Sequence, residues 1–147
     1  MASFKGQAEY SVDNKGRVAI PAKMRNAMNP EAKNTFTITR GFEKCIFLYP
    51  QDHWEKMEGE IGGLNMYRSE TRDFVRTIMM WADDVTLDGQ GRIGIPKPLQ
   101  EFAGIGDKAL IIGALDHIEI WDPDSFNQYI NSQADDYETL AERVMGL

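Results

Sequence analysis

The sequence has one cysteine, Cys45, and two histidines, His53 and His117, among 147 residues. A single cysteine excludes an internal disulfide framework. Cys45 lies in an apolar run and reads as a small core hydrophobe. The two histidines sit far apart in the chain, with no Cys or carboxylate pair at ligand spacing, so no metal site is expected. No phosphate-cradling loop precedes a helix: Gly89-Gln90-Gly91 reads as a hairpin rather than as a dinucleotide-binding turn. No serine or cysteine occupies a nucleophile elbow. Cofactors and enzyme activity are therefore not expected. No charged-then-apolar leader opens the sequence and no apolar run approaches a membrane span, so a cytoplasmic protein without membrane contact is the expectation.

Positive charge is also scarce, but it is unevenly placed. The net charge is −7, with 16 Lys and Arg against 23 Asp and Glu. Residues 1–50 hold eight Lys/Arg and four Asp/Glu, whereas residues 51–147 hold eight and nineteen. An acidic total argues against nucleic acid, but the basic first third argues for it, and the distribution is the more informative quantity.

What is abundant is repetition. Asp13-Asn14-Lys15-Gly16-Arg17 runs on through Val18-Ala19-Ile20-Pro21, and Asp88-Gly89-Gln90-Gly91-Arg92 runs on through Ile93-Gly94-Ile95-Pro96, at a constant offset of 75 residues. Each copy predicts a tight turn followed by a strand. Asp at the first corner accepts bonds from the turn's own backbone, and Gly supplies the left-handed conformation. Alternating apolar residues then form a half-buried strand, and Pro ends it and opens a helix. Gly41 to Tyr49 matches Gly113 to Trp121 at an offset of 72, and Trp54 matches Phe126. The chain thus holds two copies of a unit of about fifty residues, each too small to bury an adequate core alone.

The pattern predicts strands over 4–12, 17–20, 35–40 and 45–49, a short helix over 22–28, and a helix after Pro50 carrying Trp54 and Met57 that Gly59, Gly62 and Gly63 break. Asn65 is expected to cap a longer helix to about Ala82, whose stripe of Tyr67, Phe74, Val75, Ile78, Met79 and Ala82 reads as packing. The second copy predicts strands over 85–87, 93–95, 109–112 and 118–121 and a helix over 97–102. Asp122-Pro123 then caps a helix from Ser125 to about Ser132. A last helix is expected in 134–147. The expected divisions are repeat one at 7–54, a helical connector at 55–82, repeat two at 83–126 and a helical tail at 127–147.

Two readings of the turn arginines stand side by side. Arg17 and Arg92 either each close an ion pair with the Asp of their own turn, or present forked guanidinium groups to DNA phosphates and guanine edges. Lys15 stands at the first tip, and Lys23 and Arg25 on the following helix suit phosphates. In the second copy Gln90 replaces the Lys, and Asp88 and Glu101 balance Arg92 and Lys97. The first unit is therefore expected to contribute most of the affinity. With so few cations, tight binding calls for several copies on one DNA.

The strings VDNKGRVAIPAKMR, CIFLYPQDHW, LDGQGRIGIP and IEIWDPDSF closely resemble MraZ proteins, bacterial transcriptional regulators with two SpoVT-AbrB type repeats. The resemblance covers residues from about 5 to 130. It implies an α+β, mainly β fold: an AbrB-like, swapped-hairpin double-repeat β-barrel with flanking helices. It further implies a nucleoid-associated, ring-shaped homo-oligomer that binds short direct repeats upstream of the division and cell wall gene cluster and represses that operon, its own. The family's DNA-contacting motif falls on Asp13, Lys15, Gly16 and Arg17 and on Asp88, Gly91 and Arg92. In each, Asp and Gly shape the turn and the cations touch DNA. Gln90 and Gln100 stand where such proteins often carry a basic residue. An AbrB-like, antitoxin-type interaction module is the competing implication; residues 134–147 are short for holding a partner.

Overall fold

Val18 and Ile93, the central residues of the two echoed strands, pair with each other in the fold. Both are fully buried. The computed structural model describes residues 2–146. In chain order it contains β1 (Gln7–Ser11), β2 (Arg17–Ala19), α1 (Ala22–Asn26), a 3-10 turn (Pro30–Ala32), β3 (Thr35–Arg40), β4 (Ile46–Pro50), α2 (Gln51–Gly62) and α3 (Ser69–Trp81). The second half supplies β5 (Asp83–Thr86), β6 (Arg92–Gly94), α4 (Lys97–Ala103), β7 (Lys108–Gly113), β8 (Ile118–Trp121), α5 (Pro123–Asn131) and α6 (Tyr137–Met145).

The architecture is α+β and mainly antiparallel β. Six strands form one sheet in the order β1-β7-β8-β4-β3-β5, and β2 and β6 form a two-stranded ribbon. The pairing crosses between the repeats. β1 of the first lies on β7 of the second, and β5 of the second lies on β3 of the first. The hairpins β3-β4 and β7-β8 meet through β4 and β8. Among the described residues no ladder joins the edge strands β1 and β5.

This exchange follows from burial. Val18, Ile20, Met24, Phe36, Ile38, Ile46 and Leu48 of the first repeat share one core with Ile93, Ile95, Leu99, Ile111, Ile118 and Ile120 of the second. Burying each such side chain stabilises by roughly 1.5–3 kcal/mol, and neither repeat alone could cover them. A second cluster occupies the other side of the sheet, with Cys45, Phe47, Tyr49, Trp54 and Trp121. Every residue of β4 is buried, so its alternating positions serve the two cores in turn. The echoed aromatics occupy equivalent places, with Tyr49 against Trp54 at 5.8 Å and Trp121 against Phe126 at 5.0 Å between ring centroids. Cys45 is buried as expected, and burial pushes its thiol well above the ordinary cysteine range.

Several boundaries differ from the sequence pattern. Gly59 does not break α2, which continues to Gly62; a single helical glycine costs only about 1 kcal/mol relative to Ala. Asn65 does not cap α3. Its side-chain oxygen accepts from the Tyr67 N–H in a local turn, and α3 begins at Ser69. The stripe of α3 is only partly packing: Ile78 and Ala82 lie against the second cluster, while Tyr67 is 96% exposed and no residue of α3 is fully buried. α1 ends at Asn26, before the expected Met28. Asp122 caps α5 through the Ser125 N–H, as expected, and the helix already starts at Pro123. In the tail, Asp136 caps α6 through the Thr139 N–H; of the range expected there, Leu147 lies outside the described residues.

Candidate nucleic-acid interface

Each D-x-x-G turn is closed by one set of bonds. In the first, Asp13 Oδ1 accepts from the N–H groups of Lys15 (3.0 Å) and Arg17 (2.8 Å), and the Gly16 N–H donates to the Asp13 carbonyl (2.9 Å). In the second, Asp88 Oδ1 accepts from Gln90 and Arg92 N–H, both at 2.9 Å, and the Gly91 N–H donates to the Asp88 carbonyl (3.0 Å). Gly16 and Gly91 have φ of 77° and 73°, a region that side chains with a Cβ disfavour. These bonds and dihedral angles describe the shape that each turn takes around its Asp and Gly.

The second carboxylate oxygen of each Asp takes the arginine. Arg17 Nε donates to Asp13 Oδ2 at 2.7 Å, and Arg92 Nε donates to Asp88 Oδ2 at 3.0 Å. Arg92 Nη1 also lies 3.8 Å from Asp13 Oδ2. One carboxylate oxygen therefore sits between the guanidinium groups of the two repeats. Both Asp carboxyls are held below the usual carboxylate range, foremost by the backbone N–H of Arg17 or Arg92; the Arg17 guanidinium comes next for Asp13, and the Gln90 N–H followed by the Arg92 guanidinium for Asp88.

The ion pairs do not exhaust the arginines. A guanidinium carries five N–H donors, and Nε uses only one. The side chains of Arg17 and Arg92 remain 37% and 27% exposed. The two readings of these residues are thus compatible: the Asp fixes the fork through Nε, and outer N–H donors remain to meet an anion, both Nη groups on Arg17 and chiefly Nη2 on Arg92, whose Nη1 leans towards Asp13. β2 and β6 set the arrangement, with Arg17 opposite Gly94 and Ala19 opposite Arg92. Because Val18 and Ile93 face the core, the alternate residues Arg17, Ala19, Arg92 and Gly94 share the other face.

Lys15, Lys23 and Lys97 are exposed, and among the described residues they enter no ion pair. Lys15 stands at the tip of the first turn, Lys23 on α1 and Lys97 at the start of α4. Arg25 is placed differently. It is half-buried, its Nε donates to the Ile20 carbonyl at 2.9 Å, and its guanidinium lies against Gly91 of the other repeat. Gln100, its echo at the same offset of 75, donates from Nε2 to the Ile95 carbonyl at 2.8 Å and lies against Gly16. The shared offset was the available signal for this pair, but the sequence does not tell which glycine each side chain meets.

The histidines, distant in sequence, share a partner in space. His117 Nδ1 lies 2.7 Å from Asp116, its Nε2 lies 3.2 Å from Glu119, and His53 Nε2 lies 3.4 Å from the other oxygen of Asp116. Burial pulls the His117 pKa down, but the bonds to Glu119 and Asp116 outweigh it and leave it raised. Among the described residues no group of three or more His, Cys, Asp or Glu side chains is placed to hold a metal. No helix among them is long and apolar enough to cross a membrane.

The family model described as "MraZ protein, putative antitoxin-like" matches residues 3–77 and again 78–147. A protein of Roseiflexus sp. (strain RS-1) named "Transcriptional regulator MraZ" is 39% identical over 144 residues, which is 98% of each chain. A Syntrophomonas wolfei protein of the same name is also 39% identical, over 98% of each chain. A third with that name, from Pelotomaculum thermopropionicum, is 38% identical over 98% of this chain and 97% of its own.

Proposed function

The chain belongs to the MraZ family, and from that premise we propose that it is a DNA-binding transcriptional regulator whose two D-x-x-G-R turns contact duplex DNA. The observation that carries this reading is the adjacency of Arg17 and Arg92, each fixed by the Asp of its own turn on one two-stranded ribbon. A preorganised fork loses little side-chain freedom on meeting a phosphate or a guanine edge. Lys15 extends the first turn, and the exposed Lys23 and Lys97, on the helices that follow the ribbon strands in the chain, add cations for the DNA backbone.

The finer reading is a repressor of the division and cell wall gene cluster, its own operon included, acting on short direct repeats in the nucleoid. The two repeats, with boundaries near 7–54 and 83–126, form a swapped-hairpin barrel. The exchange of β1 and β5 between the repeats supports that reading. Ring-shaped self-association multiplies a weak individual contact. Exposed apolar side chains on α3 and α6 support it: Met80, Tyr137 and Val144 are more than two-thirds exposed, as expected of surfaces that meet another chain.

The test is a gel shift with the upstream region of the protein's own operon, repeated at rising salt. A sequence-dependent, salt-sensitive shift is expected, and Arg17→Ala lowers the slope of log K against log salt by roughly 0.9. If the wild-type protein showed no preference for that region over unrelated DNA, the proposal would fail.

A further inference from the structure

We propose that Arg25 and Gln100 are positioning residues that each hold the DNA-facing turn of the opposite repeat. Arg25 of the first repeat serves Asp88–Arg92, and Gln100 of the second serves Asp13–Arg17. The proposal rests on the DNA-binding reading of the turns. It also assigns to Arg25 a role other than that of a phosphate ligand.

The geometry is reciprocal in every bond. Arg25 Nε and Gln100 Nε2 occupy the same place along their side chains, both bonded to Cδ. Each donates to the carbonyl five residues before it, at Ile20 (2.9 Å) and Ile95 (2.8 Å). The amides of those same isoleucines cross the repeat boundary: Ile20 N–H donates to the Gly91 carbonyl at 3.0 Å, and Ile95 N–H to the Gly16 carbonyl at 2.9 Å. Each turn glycine is thus gripped on its carbonyl by the residue that follows the other repeat's ribbon strand and on its open face by a side chain of the other repeat's helix.

The glycines are required for this grip twice over. Their positive φ disfavours a Cβ, and the space a Cβ would take is already filled. At Gly91 it would lie 2.6 Å from Arg25 Cζ, and at Gly16 it would overlap the Gln100 amide. Meanwhile the Ile20 and Ile95 peptides, which form no strand ladder of their own, have both their N–H and C=O groups bonded.

Charge is redistributed by the crossing. The second turn carries Gln90 where the first has Lys15, yet it receives the cation of Arg25; the first receives only the neutral amide of Gln100.

The test compares Arg25→Ala, Arg25→Gln and Gln100→Ala. Amide hydrogen exchange of the free protein is measured at Gly91 and Arg92 against Gly16 and Arg17, and DNA binding is measured at several salt concentrations. Arg25→Ala should speed exchange in the second turn by about tenfold and spare the first, as loss of a bond from a charged donor implies. It should weaken DNA binding by a similar factor. Its effect should be non-additive with Arg92→Ala and additive with Arg17→Ala. Arg25→Gln keeps the donor in place, so it should restore both exchange and binding with the salt slope unchanged. Gln100→Ala should mirror the exchange result in the first turn, and it carries the comparison if Arg25→Ala does not fold. The proposal is overturned if Arg25→Ala loosens its own repeat's turn, or neither turn. It is equally overturned if Arg25→Gln binds as poorly as Arg25→Ala with the slope reduced by roughly 0.9, because Arg25 would then be a phosphate ligand. If wild-type protein bound no specific DNA, the function reading would fall, and the exchange measurements on the free protein would still decide the bracing.

Discussion

The turns Asp13–Arg17 and Asp88–Arg92 share their hydrogen bonds and differ in what surrounds them. The first has Lys15 at its tip, an Arg17 that is the more exposed of the two arginines, and Gln100 at its back. The second has Gln90, a more covered Arg92 and Arg25 at its back. Asp13 stands within 4 Å of both guanidinium groups, whereas Asp88 reaches only its own. Duplication has thus kept the backbone chemistry of the turn and let the tip and the bracing residue diverge. The contacts that back each turn come from across the seam between the repeats.

The sharpest break in this comparison comes from the carboxylates. Asp13→Ala releases both arginines and should weaken DNA binding by about thirtyfold or more, against about tenfold for Asp88→Ala, since bonds to charged groups are the stronger ones and Asp13 holds two guanidinium groups where Asp88 holds one. Equal losses in a titration of labelled operator DNA would mean that the 3.8 Å approach of Arg92 to Asp13 has no energetic weight.

Next in size are the arginines. Arg17→Ala should weaken binding by about tenfold, and Arg92→Ala by somewhat less, each lowering the salt slope by roughly 0.9. A larger loss for Arg92→Ala would reverse the ranking expected from the more basic first repeat. Gln90→Lys should do the opposite, tightening binding a few-fold and steepening the slope by roughly 0.9, because it supplies the missing tip cation.

Gly16→Ala and Gly91→Ala test the backbone. Each places a Cβ at positive φ against an occupied face. Each should cost about 1–2 kcal/mol for the backbone alone, and thermal melting should fall by about 2–4 °C per kcal/mol in a protein of this size.

The smallest effect is in the acid range. The folded-state pKa values of Asp13 and Asp88 are depressed. Their contribution is therefore complete above the ordinary Asp value of about 3.9 and is lost as pH falls through the folded values. Carboxyl titration by NMR should show both below that value. Arg92→Ala should raise the Asp13 value, while Arg17→Ala should leave that of Asp88 unchanged.

Features closed within a few residues were legible from the sequence: the Asp13 and Asp88 turns, the Asp122 cap of α5, and the burial of Cys45 at the head of the apolar run Ile46 to Tyr49. The features that were misread depend on distant neighbours. Gly59 remains helical because α2 continues past it, and Tyr67 is exposed because only part of the α3 stripe meets the second cluster. The side chains of Lys15, Arg17 and Arg92 could be placed from the motif, but Arg25 could not, since its contact lies 66 residues away in Gly91.

The amino-acid order alone determined the duplication and the chemistry of each turn, because an Asp, a left-handed Gly and the amides between them satisfy one another within five residues. Only the tertiary structure decided that each turn is held from the far side. Val18 and Ile93 are buried by being set against each other, and that single pairing brings Arg25 onto Gly91, Gln100 onto Gly16 and Arg92 within reach of Asp13.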